Sequence, residues 1–194
     1  MLFDDELKIK AKANHVPISF DETMEFVVSL IDEFDCKEIL EIGTAIGFGS
    51  ISMASLTDCS HIDTVEIDKD CVLEAKSNIE TRGLTDKITV HNADAKDYID
   101  ACNKKYDLIY LDGPKGQYIN YLPRLKQLLK KDGLLIADNL FFHGMVTGTT
   151  VVPVSCRAMI KGLHKFIDEI TLSSELSTQI YNIGDGVACV RLKN

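Results

Sequence analysis

The sequence predicts an α/β fold: a doubly wound, mostly parallel seven-stranded sheet ending in a C-terminal antiparallel hairpin. Three observations point there. Short apolar runs alternate five times with helix-length segments across brief links, the signature of parallel βαβ units. Glycines and acids collect at the carboxyl ends of those runs, the edge where open α/β sheets bind ligands. The tail then breaks the alternation, because two strand-like segments flank Gly184-Asp185-Gly186, a hairpin-turn signal.

The elements follow in order. Residues 21–34 carry Met24, Phe26, Val27, Val28, Leu30, Ile31 and Phe34 at helical spacing, with Ser19 or Asp21 available as a cap. The first strand is expected over 37–42 and a helix over 50–56. A second strand over 61–67 leads into a helix over 70–82 that Gly83 stops. The third strand covers 88–93, followed by a short helix over 95–102. The fourth strand covers 107–111, a helix 118–130 and the fifth strand 134–137. A helix over 157–170 precedes the closing strands, 177–183 and 187–192. With no linker, repeat or low-complexity stretch to divide it, the chain reads as one domain, 1–194.

Bulk properties narrow the function classes. The 194 residues suffice for a substantial core, and 45% hydrophobic with 26% charged residues is an ordinary globular balance. A net charge of −9 argues against a general nucleic-acid coat, whose affinity comes from neutralising phosphates. It leaves room for a local basic face: Lys8, Lys10 and Lys12, or Arg157, Lys161 and Lys165, which read equally as solvated helix faces. No apolar run is long enough to span a bilayer, and the acidic start Met1-Leu2-Phe3-Asp4-Asp5-Glu6 lacks a secretory signal. The expectation is a cytoplasmic protein with no membrane partner. Six cysteines, without a C-x-x-C pair or zinc-site spacing, are expected to be reduced and partly buried.

The chemistry gathers at strand ends. Asp112 closes the fourth strand, and Asp138-Asn139 closes the fifth. Parallel neighbours would set these side by side, and three oxygen donors suit a hard divalent cation such as Mg²⁺; each Asp alone could equally be a turn or cap residue. After the first strand, residues 41–50 form a glycine-bearing loop that opens a helix. It misses the G-x-G-x-x-G pattern, because Ala45 takes the second glycine place, and no phosphate-loop motif is present. Glu66 follows about 20 residues beyond Gly43, where an acid can accept both ribose hydroxyls of a nucleoside. Asp94, after the third strand, reads either as a helix cap or as a neighbour of an adenine.

Together the motifs Glu-Ile-Gly-Thr-Ala-Ile-Gly at 41–47, Val-Glu-Ile-Asp at 65–68, Leu-Asp-Gly-Pro-Lys-Gly-Gln-Tyr at 111–118 and Ala-Asp-Asn at 137–139 resemble the class I S-adenosylmethionine-dependent methyltransferases. More closely, they resemble the metal-dependent O-methyltransferases of the catechol and caffeoyl-coenzyme A type, over nearly the whole chain. The resemblance implies S-adenosylmethionine and Mg²⁺, or another divalent cation, as cofactors. It assigns Asp112, Asp138 and Asn139 to the metal and Lys115 to base catalysis. It gives Glu66 to the ribose, Asp94 and Ala95 to the adenine border, and Val16, Gly43, Ala45 and Asp112 to the rest of the cofactor. The chain departs from the family at Gly49, where many members carry a Ser expected to hold the methionine carboxylate; Ser50 or backbone amides are the substitutes. A homodimer is implied by resemblance alone. Lys-Gly-Gln-Tyr at 115–118 and residues 138–144 are most similar to the bacterial branch that methylates 5-hydroxyuridine in transfer RNA, so tRNA is the expected substrate, with a small catechol-like acceptor as the alternative.

Both acceptors offer two adjacent oxygens, which a cation can chelate to lower a hydroxyl pKa and fix its direction. Around that centre, Tyr118 could stack on a planar substrate or pack on its helix. His143 reads as a loop histidine. Phe141 and Phe142 could stack on a flipped-out base, though core packing suits at least one of them. A non-catalytic nucleotide-binding module and a nicotinamide-dependent oxidoreductase are the rival classes.

Overall fold

The computed structural model describes residues 3–193. Its strands are β1 (Glu38–Ile42), β2 (His61–Glu66), β3 (Ile88–Asn92), β4 (Tyr106–Leu111), β5 (Leu129–Ala137), β6 (Leu176–Tyr181) and β7 (Val187–Leu192). They form one sheet in the order β3-β2-β1-β4-β5-β7-β6. The first five are parallel, and β7 lies antiparallel between β5 and β6. Around it stand α1 (Asp5–Ala13), α2 (Asp21–Glu33), α3 (Phe48–Leu56), α4 (Lys69–Thr81), α5 (Ala95–Ala101), α6 (Tyr118–Leu128) and α7 (Arg157–Leu172). Among the described residues no helix is long and apolar enough to cross a membrane.

The central strands are apolar on both faces because both faces are covered. Ile39, Leu108, Tyr110, Leu134 and Ile136 join one core with Met24, Val27 and Ile31 of α2. Their alternates Leu40, Ile42, Ile109, Leu111 and Leu135 join a second core with residues of α6 and α7. Each fully buried aliphatic side chain contributes about 1.5–3 kcal/mol, so this two-sided burial holds the strand ends in fixed register.

Some boundaries differ from expectation. The sequence reading has no element at α1. Its buried stripe is only Leu7 and Ala11, one helical turn apart, and the lysines between them hide the period. Asp4 caps it by accepting from Leu7 N–H at 3.0 Å. Helix α3 starts at Phe48 rather than 50, because Gly47 at φ 90° already turns the chain into it. Strand β5 begins at Leu129, inside the segment expected to be helical. The register jumps there from the Tyr106–Leu129 pair to Leu108–Leu134, with Asp132 at φ 67° in the irregularity.

The register fixes the site. Leu111 pairs with Ala137 across β4 and β5, so Asp112 and Asp138 are the next residues on neighbouring strands. Asp112 N–H donates to Ile42 O at 2.9 Å, and Asp138 N–H to Leu111 O at 3.1 Å. With β2 on one side of β1 and β4 on the other, the chain reverses its winding direction here, opening the crevice where such sheets bind ligands.

Candidate active site

A cavity of about 1070 Å³ opens over these strand ends. Its floor includes Gly43 and Ala45 after β1, Glu66 at the end of β2, Asp94 and Ala95 after β3, Asp112 and Lys115 after β4, and Asn139 after β5. The loop after β1 can run this close to β4 only as glycine: Gly43 sits at φ 106°, and a Cβ there would lie 2.4 Å from Asp112 O. Ala45, at φ 46°, points its N–H at Glu66 Oε2, 3.0 Å away. Asp68 N–H donates to the other oxygen, Oε1, at 2.9 Å. The Glu66 carboxylate is thus held in place with lone pairs still free for ribose hydroxyls. Asp94 caps α5 through Lys96 N–H at 2.8 Å and also lines the cavity.

Three residues expected at the cofactor stand back from the cavity wall. Val16 packs on the core, and its neighbours Pro17, Ile18 and Phe20 line the cavity instead. Ser50 is buried and donates to Gly47 O at 3.3 Å. Gly49 lies beneath Glu41, where an added Cβ would meet Glu41 Oε1 at 2.2 Å. A serine therefore has no room at 49 without moving Glu41. The Glu41 carboxyl, 1% exposed, accepts from Thr64 Oγ1 at 2.6 Å. Burial, reinforced by repulsion from Asp112 and Glu66, pushes its pKa up to about 8 against that hydrogen bond.

Asp112, Asp138 and Asn139 follow adjacent strands, as the strand order requires, though at two depths. Asp112 and Asn139 line the cavity, while Asp138 is 0% exposed just beneath the wall. Burial, then repulsion from Asp112, pushes the Asp138 carboxyl up to about 6. Among the described residues no group of three or more His, Cys, Asp or Glu could hold a metal, so a cation here needs the Asn139 amide oxygen as its third donor. Two mutually repelling carboxylates with an adjacent amide are a donor set that fits a hard divalent ion. Lys115 opens a 3-10 turn over Lys115–Gln117, and its ammonium, 12% exposed, pairs with Asp112 Oδ1.

The remaining aromatic and loop residues sort themselves by contact. Tyr118 is a core residue: its hydroxyl donates to Leu111 O at 2.8 Å, and its ring meets Phe166 edge-on at 5.4 Å. Tyr121 lines the cavity in its place. Phe141 packs on the core, while Phe142 and the exposed His143 reach the cavity. Arg157 and Lys161 are exposed and lie outside the wall; Met159 between them is within it. Asp185 is the main residue the sequence reading missed, being legible only as part of a turn. Both its carboxylate oxygens accept from His143 N–H at 2.9 Å. It thereby holds a loop in which Asn139, Phe142 and His143 all adopt positive φ. All six cysteines are free. Burial pushes Cys36 up to about 12 and Cys71 up to about 11, which leaves these thiols protonated.

Comparison with known proteins places this geometry. A family model described as O-methyltransferase matches residues 5–193. The chain belongs to the O-methyltransferase family. That membership makes it an S-adenosylmethionine-dependent O-methyltransferase, the class expected from the motifs, and sets aside the nicotinamide oxidoreductase and the non-catalytic module. Caffeoyl-CoA O-methyltransferase 2 of Petunia hybrida is 28% identical over 197 aligned residues, covering 96% of this chain and 80% of the relative. A Staphylococcus aureus protein provisionally assigned as a caffeoyl-CoA O-methyltransferase superposes with a TM-score of 0.91 at 31% identity, covering 97% of this chain and 91% of the other. An O-methyltransferase from Bacillus cereus, solved with S-adenosylhomocysteine, shares the fold at a TM-score of 0.83 and 24% identity, with 96% and 88% coverage.

Proposed function

We propose that this protein, acting as one catalytic unit over residues 1–194, transfers the methyl group of S-adenosylmethionine to one of two adjacent oxygens on a small catechol-like or caffeoyl-CoA-like acceptor, with Mg²⁺ or another divalent cation. The carrying observation is that one cavity is lined by Gly43, Glu66, Asp94, Asp112, Lys115 and Asn139 together. In this reading Glu66 accepts the ribose hydroxyls, Asp94 and Ala95 border the adenine, and Gly43 and Ala45 bring the backbone against the cofactor. A divalent cation held by Asp112, Asp138 and Asn139 would lower the acceptor hydroxyl's pKa and fix its direction. The acceptor oxygen then attacks the methyl carbon in line as the carbon–sulfur bond breaks, and Lys115, in its neutral amine form, takes the hydroxyl proton. The names of the relatives support a small acceptor.

A second reading is methylation of 5-hydroxyuridine in tRNA. It is favoured by α7, where Arg157 and Lys161 are exposed on either side of the cavity-lining Met159 and would meet phosphates there. The test is incubation with methyl-labelled cofactor and Mg²⁺, in parallel with a catechol, caffeoyl-CoA and undermodified tRNA. Label in a small acceptor is expected. Label in tRNA alone moves the assignment to the second reading, and label in none of the three overturns both.

A further inference from the structure

Tyr110 is a polar residue where packing asks only for an apolar one. It is the penultimate residue of β4, at 0% exposure, on the same core face as Leu108, Leu134 and Ile136. A phenylalanine would fill that space, so the buried hydroxyl requires a partner to offset its desolvation. It has two. The hydroxyl donates to Asp138 Oδ2 at 2.9 Å and lies 3.0 Å from Ser19 Oγ. Ser19, itself buried between α1 and α2, donates to Asp112 Oδ2 at 2.9 Å. Each of these two touching hydroxyls has one proton and gives it to a strand-end carboxylate, Tyr110 to Asp138 and Ser19 to Asp112.

The opposite oxygens are also engaged. Asp112 Oδ1 pairs with Lys115, and Asp138 Oδ1 accepts from Asn139 N–H at 2.7 Å. Each carboxylate is therefore gripped from both sides, which removes the rotational freedom it would otherwise lose on binding a cation. The pair also reaches the cavity's cover, since Ser19 lies among Pro17, Ile18 and Phe20, which form part of the wall. We propose that Tyr110 and Ser19 are positioning residues that set Asp112 and Asp138 for a divalent cation and fasten the wall at residues 17–20 to them. This rests on the reading above that Asp112, Asp138 and Asn139 hold such a cation.

The test uses Mn²⁺ as a paramagnetic probe, titrated into the full chain while electron paramagnetic resonance follows the free ion. Tyr110→Phe and Ser19→Ala are each expected to weaken Mn²⁺ binding by about 10–100-fold. Combined, they should weaken it by less than the product of the single effects, because the two hydroxyls are in contact. Tyr106→Phe is the control. It makes the same chemical change in the same strand, but the Tyr106 hydroxyl donates to Asp63 at 3.1 Å, in a different cluster. It is expected to leave Mn²⁺ affinity unchanged. The inference is overturned if the Tyr110 and Ser19 variants bind within about twofold of the unaltered protein, or if Tyr106→Phe weakens binding equally. If the unaltered protein binds no Mn²⁺, or binds it equally well as Asp138→Ala, the inference and the metal site fall together.

Discussion

Gly43 and Glu41 show how tightly single residues are constrained around this cavity. Gly43 combines a φ of 106° with a 2.4 Å approach to Asp112 O, so Gly43→Ala should cost about 1–3 kcal/mol or more, read as a lower midpoint in urea unfolding. Glu41 makes stability depend on pH. Its folded pKa is raised from 4.5 to about 8, so folding favours the protonated form. The stabilisation is fully present below pH 4.5 and is lost as pH rises through about 8. Glu41→Gln should flatten the decline in unfolding free energy over that window; an unchanged slope would remove Glu41 as its source. If Lys115 takes the acceptor's proton, Lys115→Ala should lower kcat by about 10²–10⁴ while leaving S-adenosylhomocysteine affinity, measured by calorimetry, nearly intact. At this scale the sequence was most legible in which strand-end residues share the cavity, as Asp112, Lys115, Glu66 and Asn139 do. It was least legible where depth decides. Nothing in the string says that Ser50 turns back onto Gly47 or that Asp138 lies under the wall rather than on it.

The elements divide by the strength of their periodicity. Helix α2 buries Met24, Val27 and Ile31 at helical spacing and is plain in the sequence. Helix α1 offers only Leu7 and Ala11 between charged residues, and it forms because that narrow stripe meets an existing core. Leu7→Ala should therefore destabilise the protein by about 2–5 kcal/mol, measured in urea; a change within error would mean α1 contributes little. The start of β5 was misread for a related reason: Leu128 and Leu129 continue the apolar stripe of α6, and only pairing with Tyr106 turns the second of them into strand. The loop between β6 and β7 was legible as a turn, whereas its grip on the loop at 139–144 arises only when β7 inserts beside β5. Removing that grip with Asp185→Ala should loosen the cavity's acceptor side, seen as faster amide exchange at His143.

For the whole molecule, five parallel strands followed by an antiparallel pair were readable, because strand and helix periods alternate with little interruption and a hairpin-turn signal closes the tail. The order of the last two strands was not, since a hairpin signal does not say which of its strands joins β5. What the fold accomplishes is to bring the ends of β1, β2, β3, β4 and β5 to one opening, with Asp112 and Asn139 in its wall and Asp138 buried. The most direct test is methyl transfer to a catechol-type acceptor by metal-stripped protein as Mg²⁺ is added back. The account predicts no transfer above background in chelator, recovery with Mg²⁺, and no recovery in Asp138→Ala; transfer at full rate in chelator would contradict it.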